Sequence, residues 1–207
     1  MIRDIIASER PDDGLLAEEG AHSEAESGRR WIVDPLDGTI NFLYGFPAWC
    51  VSVALEDSDG LAVGVVHDPV RDEVVGAVRG GGCRLNRERV SVRQADRLDK
   101  ALIATGFSYD PERRAAQADV VRRVLPGVRD IRRAGAAALD LAWLAAGRLD
   151  GYYERGLHPW DWAAGRLLVT EAGGEVEDLP GDPPGLAAAA PGLLAALVEL
   201  AGAELPG

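Results

Sequence analysis

The sequence predicts an α/β fold in one domain, with an antiparallel β half followed by a half in which helices and strands alternate. Three observations carry this. From Trp49 onward apolar and polar residues alternate in runs separated by turn sequences, as in WCVSVALED, DSDG and LAVGVVHD, the period-2 pattern of a half-buried meander. Beyond residue 112 the period lengthens, and residues 113–125 and 136–147 are good helix formers at helical spacing. Pro159 then opens a third such stretch, which runs to about Ala172 and stops at Gly173 and Gly174.

Taken in order, residues 2–10 read as the end of an amphipathic helix with Ile2, Ile5 and Ile6 on one face, broken at 11–14. Residues 15–17 are a short apolar run leading into Glu18 and Glu19, and residues 20–30 read as a charged surface loop. A strand at 30–34 ends in DPLDGT, and Thr39 starts a helical stretch, TINFLYG. The meander reaches GGG at 80–82, and further strands are expected at 89–92 and 101–104. Short strands at 128–131 and 149–154 punctuate the helices of the second half. The Ala-, Gly- and Pro-rich tail is expected to end in a helix from about Pro191. The change of character near 105–112 divides the single domain, 1–207, into a β half, 1–107, and an α/β half, 108–207.

The 207 residues suffice for a substantial core, and 47% apolar with 27% charged residues is ordinary for a globular protein in water. No apolar run has the length of a bilayer span. The opening MIRDIIASERPDD has neither the apolar stretch nor the cleavage site of a secretory signal. A cytoplasmic protein without a membrane partner is therefore expected. Cys50 and Cys83 match no zinc spacing and are expected as free thiols, and His67 and His158 stand alone. A formal net charge of −12 argues against nucleic acid. The same charge would repel an anionic phosphate ester, unless carboxylates hold divalent cations that invert the local field.

Asp34-Pro35-Leu36-Asp37-Gly38-Thr39 is the stretch in which such carboxylates concentrate. Proline stops the strand, because it lacks an N–H and disfavours the α region for the residue before it. The turn can bring both carboxylates to one side and expose the Leu36 carbonyl. Gly38 permits close backbone approach, and the free N–H groups at Thr39 suit a phosphate. Magnesium takes oxygen ligands and commonly bridges carboxylates to phosphate. Read alone, the same residues also fit a strand end and a helix cap. Asp161, in the first turn of the helix at Pro159, fits a dipole-stabilising carboxylate equally well, and Glu18-Glu19 fits a solvated surface.

Together these stretches resemble the inositol monophosphatase family. DPLDGTINF is similar to its first signature, PWDWAAG to its second, and LAEEG to the glutamate element upstream; LDGYYERGLHPWDWAAG and RRAGAAALDLAWLAAGRLD are also similar to members. The resemblance runs from Ile2 to about residue 190. It implies a layered α-β-α-β-α sandwich of the inositol monophosphatase and fructose-1,6-bisphosphatase type, commonly a homodimer, and makes 1–107 the metal-binding half. It implies Mg2+ ligands at Glu18, Asp34, the Leu36 carbonyl, Asp37 and Asp161. Thr39, with Glu18, would orient the attacking water, and Gly38 and Thr39 would offer N–H groups to the phosphate. Water would attack phosphorus directly, with no covalent enzyme intermediate. Glu154, seven residues before Asp161, would accept hydroxyls of an inositol ring, with Gly135, Ala136 and Ala137 lining the alcohol site beside Asp161. Ala136 departs from the Ser or Thr common there, which touches polyol preference.

The family also has N-terminal structure with no counterpart here: a helix, a hairpin that carries a lysine and an aspartate near the metals, and most of a second helix. An N-terminally truncated member is therefore expected, whether as a fragment, through a misplaced start or by natural truncation. The leading activity is hydrolysis of inositol monophosphate. Histidinol phosphatase or another sugar-phosphate phosphatase is the alternative, although such relatives often carry lysine where Ile40 stands. A catalytically impaired interaction protein is the alternative from another class.

Overall fold

The computed structural model describes residues 2–20, 22–23 and 25–202; Met1, Ala21 and Glu24 of the predicted N-terminal stretches lie outside the described residues. Helix α1 (Ile2–Glu9) rests on the outer face of a large sheet. Ile6 meets Leu15 and Val33 there, whereas Ile5, expected on the same apolar face, is 55% exposed. Strands β1 (Gly14–Ala17) and β3 (Arg30–Asp37) pair in parallel, with the two-residue strand β2 (His22–Ser23) on the edge of β1. Both facts correct the expectation of a loop at 20–30 and an antiparallel first half. Two residues are too few to show a period.

Helix α2 (Thr39–Tyr44) follows β3, and β4 (Cys50–Asp57), β5 (Gly60–Asp68) and β6 (Glu73–Val78) form the expected meander. Cys50, Ser52 and Ala54 point inward from β4 and their neighbours do not, as the alternation requires. β7 (Gly82–Leu85) and β8 (Glu88–Val90) complete an eight-stranded sheet of order β2-β1-β3-β4-β5-β6-β7-β8.

β9 (Leu102–Thr105) belongs to a second sheet, so the changeover comes before 105–112. After helix α3 (Pro111–Val124), β10 (Asp130–Arg132), helix α4 (Ala137–Ala145) and β11 (Gly151–Arg155), the chain forms helix α5 (Pro159–Glu171). β12 (Glu175–Leu179), β13 (Gly185–Ala189) and helix α6 (Leu194–Ala201) close it. The order is β10-β9-β11-β13-β12, with the first three strands parallel and the last two antiparallel. The alanines of β13 are good helix formers, and their burial in the sheet overrides that preference.

Helices α4 and α5 lie between the sheets, α5 against β3 to β6 and α4 against β11. Eight of the nine residues of α4 are buried, as a helix apolar on nearly every side demands. α5 comes so close to β5 that a Cβ on Gly64 would lie 2.8 Å from the Ala164 carbonyl oxygen. α6 packs on the far face of the second sheet, beside α3. The result is the α-β-α-β-α stack that the resemblance implies. No described helix is long and apolar enough to cross a membrane, and Cys50 and Cys83 are buried free thiols.

Candidate active site

Asp34 pairs with Ser52 of β4 and Asp37 with Cys50, so three steps along β3 face two along β4. The strand does not stop at Asp34, as expected from Pro35. It continues through a bulge, which accommodates a residue without an N–H and re-aims the side chains around it. The Leu36 N–H donates to Asp34 Oδ1 at 2.9 Å. The Thr39 hydroxyl donates to the Leu36 carbonyl at 2.9 Å, which leaves that carbonyl one lone pair and the hydroxyl its own acceptor capacity. Gly38 is left-handed at φ 89°, and a Cβ there would lie 2.9 Å from the Ala48 carbonyl oxygen.

The other contributors arrive from distant elements. The Glu18 N–H donates to the Val33 carbonyl at 3.3 Å, because the parallel partner of β1 is β3. The Ala138 N–H, in the first turn of α4, donates to Asp37 Oδ2 at 2.8 Å. Asp161 accepts the His158 N–H on Oδ2 at 2.7 Å, the N-terminal cap contact of α5. Asn41 Nδ2 donates to the Ala48 and Ala134 carbonyls at 2.6 and 2.8 Å, which ties α2 to the segment before Gly135.

These residues surround a cavity of about 580 Å3, lined by Glu18, Asp34, Leu36, Asp37, Gly38, Thr39, Gly135, Ala137, Glu154 and Asp161. Of the predicted site residues only Ala136 is not on its wall. Ala136 is 2% exposed, with its Cβ turned toward Gly38 and its carbonyl bonded to the Asp140 N–H. The wall also holds Phe107, Ser108, Arg113, Arg133, His158 and Trp160, to which the sequence assigns no part in the site. The available signal was Gly106 at the end of β9, since parallel strands present their carboxyl ends to ligands.

Burial and neighbouring like charge raise the carboxyl pKa values. Asp34 is raised by burial, then by Asp37 and Glu18. Asp37 is pushed up to about 7 by burial and then by Asp161. Glu154 is pushed up to about 7 by burial above all, and Asp161 is raised by burial. Among the described residues, no three Asp, Glu, His or Cys side chains are gathered closely enough to hold a metal ion as they stand. The oxygens of Glu18, Asp34, Asp37, Asp161 and the Leu36 carbonyl on the wall are nevertheless hard donors, and they suit in kind a hard divalent cation. The raised pKa values mark an unfavourable concentration of buried negative charge that such a cation would offset.

The family model described as "Inositol monophosphatase family" matches residues 1–204. A protein named Nus factor SuhB from Haemophilus influenzae is 44% identical over 179 residues, which cover 86% of this chain and 67% of that protein. An inositol-1-monophosphatase from Mesorhizobium japonicum is 46% identical over 184 residues, covering 86% and 69%. Among solved structures, extragenic suppressor protein suhB from Bartonella henselae superposes with a TM-score of 0.90 at 39% identity, over 98% of this chain and 80% of that one. Inositol monophosphatase from Anabaena (Nostoc) superposes with a TM-score of 0.87 at 36% identity, over 96% and 82%.

Proposed function

The chain belongs to the inositol monophosphatase family, and from that premise we propose that it hydrolyses a phosphate monoester, inositol monophosphate first, with Mg2+ held by Glu18, Asp34, the Leu36 carbonyl, Asp37 and Asp161. The observation that carries the reading is the convergence of Glu18, just after β1, Asp34 and Asp37 of β3, and Asp161 of α5 on one cavity that also contains Glu154. Bound magnesium would acidify a water and offset the charge of the ester. The chain's own groups do the positioning. Thr39 gives its proton to the Leu36 carbonyl and so accepts one from the water, with Glu18 on the same cavity wall. Gly38 and Thr39 present N–H groups to the phosphate. Glu154 accepts hydroxyls of the leaving alcohol beside Gly135 and Ala137. Catalysis is then positioning and charge stabilisation. The reading includes a cytoplasmic homodimer acting on a small-molecule ester. Histidinol phosphate and other sugar phosphates are the substrates to compare.

The test is phosphate release from inositol 1-phosphate with Mg2+, with a chelator, and with lithium. Release with Mg2+, its loss on chelation and its inhibition by millimolar lithium are expected. Asp34→Asn should lower the rate by about a hundredfold or more, since even outer-shell changes cost 10–100-fold. Release that persists in chelator rejects the metal assignment.

One observation favours a second reading, a protein-contact role. Leu43 and Tyr44 of α2 and Phe46 just after it are 69%, 85% and 52% exposed, and relatives carry the name Nus factor SuhB. Full magnesium-dependent turnover rejects the catalytically impaired version of it.

A further inference from the structure

Behind the cavity wall lies a polar contact that the proposed reaction does not itself use. Tyr152 in β11 is fully buried, does not line the cavity, and donates its hydroxyl to Glu154 Oε2 at 2.5 Å. The two residues are i and i+2 on one strand, so both side chains leave the same face of the sheet. Glu154 is confined by Gly106 as well, because its carboxylate fills the space that a Cβ on Gly106 would need. Its other oxygen, Oε1, makes no hydrogen bond among the described residues, while the side chain lines the cavity. A glutamate has three side-chain torsions. Left alone, it would have to be ordered by each incoming substrate, and preorganisation removes that cost from binding.

We propose that Tyr152 is a positioning residue for alcohol recognition: its hydroxyl holds one oxygen of Glu154 so that the other faces the substrate's ring hydroxyls. The proposal rests on the reading of Glu154 as the group that meets those hydroxyls. Asp37, Asp161, Asp140 and Arg133 also act on Glu154 or on the pair through their charge. Changing any of them would alter several interactions together. Tyr152→Phe removes a single oxygen atom and leaves the ring in place.

The readout is selectivity, the kcat/KM for inositol 1-phosphate divided by that for 4-nitrophenyl phosphate, which has no ring hydroxyls. Both substrates are measured on one preparation, so the ratio is independent of the folded fraction. In Tyr152→Phe the ratio should fall roughly threefold to tenfold, mostly through KM, as expected for the loss of one ordinary hydrogen bond. Glu154→Ala should lower the ratio too, and Tyr152→Phe added to Glu154→Ala should lower it no further. An unchanged ratio in Tyr152→Phe, beside a lowered one in Glu154→Ala, overturns the positioning role and leaves the function reading intact. A full additional loss in the double variant also overturns it. An unchanged ratio in Glu154→Ala overturns the reading of Glu154, and the role of Tyr152 with it. A wild-type protein that hydrolyses neither ester overturns the phosphatase reading.

Discussion

Asp37 performs two tasks with one side chain. Its Oδ2 accepts the Ala138 N–H at the start of α4, and the residue lines the cavity. Burial and Asp161 push its pKa up to about 7, so above that pH the folded protein holds an unfavourable charge. Asp37→Asn keeps an oxygen for Ala138 and removes the charge. Turnover with Mg2+ should fall by about a hundredfold or more, while the melting point in chelator at pH 8 should stay equal or rise. A clear drop in that melting point would mean that the ionised carboxylate is needed for the fold itself. Asp161→Asn should lose turnover in the same way, since Asp161 faces the same cavity from α5. Near-normal activity in that variant would remove Asp161 from the metal site. At this scale the sequence was highly legible. DPLDGT and PWDWAAG marked these carboxylates, whereas Tyr152 and Asn41 show their roles only through their partners.

At the scale of elements, α5 carries Asp161, and its position depends on how closely it approaches β5. Gly64 has no side chain where the Ala164 carbonyl oxygen comes to rest. Gly64→Ala would place a Cβ 2.8 Å from that oxygen and force α5 outward. Such overpacking typically costs about 1–3 kcal/mol, or about 2–4 °C of Tm per kcal/mol in a domain of this size. The same displacement should raise the magnesium concentration needed for half-maximal rate. A Tm drop with unchanged magnesium dependence would show that Asp161 adjusts independently of its helix. Of the predicted elements, the meander and the helices at α3, α4 and α5 were readable, because their periods repeat over many residues. β2, β7, β12 and β13 were not: each is short, and the last is made of alanine and leucine behind a glycine.

For the molecule as a whole, the raised carboxyl groups set a pH dependence. Asp37 and Glu154 titrate near 7 in the folded chain, and Asp34, Asp161 and Asp140 are also raised. In the unfolded chain these groups lose their protons at about 4. Between those limits the folded state binds more protons than the unfolded one, so stability falls as pH rises. Groups held low by ion pairs, such as Glu73 beside Arg148, act with the opposite sign, but at acidic pH. In chelator the melting temperature should therefore decrease from pH 5 to pH 8. Magnesium should reverse the decrease and release protons near pH 7. A chelated protein whose melting temperature is flat or rises over that range would contradict the clustering of these charges.

The sequence by itself determined the family, the kinds of layers in the stack and most of the carboxylates that line the cavity. Motifs and periods are local: DPLDGT holds two carboxylates, a bulging proline and a permissive glycine within six residues. Only the tertiary structure decided how these pieces meet. Glu18 reaches Asp34 because β1 pairs with β3 in parallel, and Asp37 is anchored by an N–H of α4, a hundred and one residues away. The same long-range packing turned Ala136 inward, assigned β9 to the second sheet and set Tyr152 behind Glu154. Strand partners and side-chain direction depend on surfaces contributed from elsewhere in the chain, and a local pattern does not specify which surface that will be.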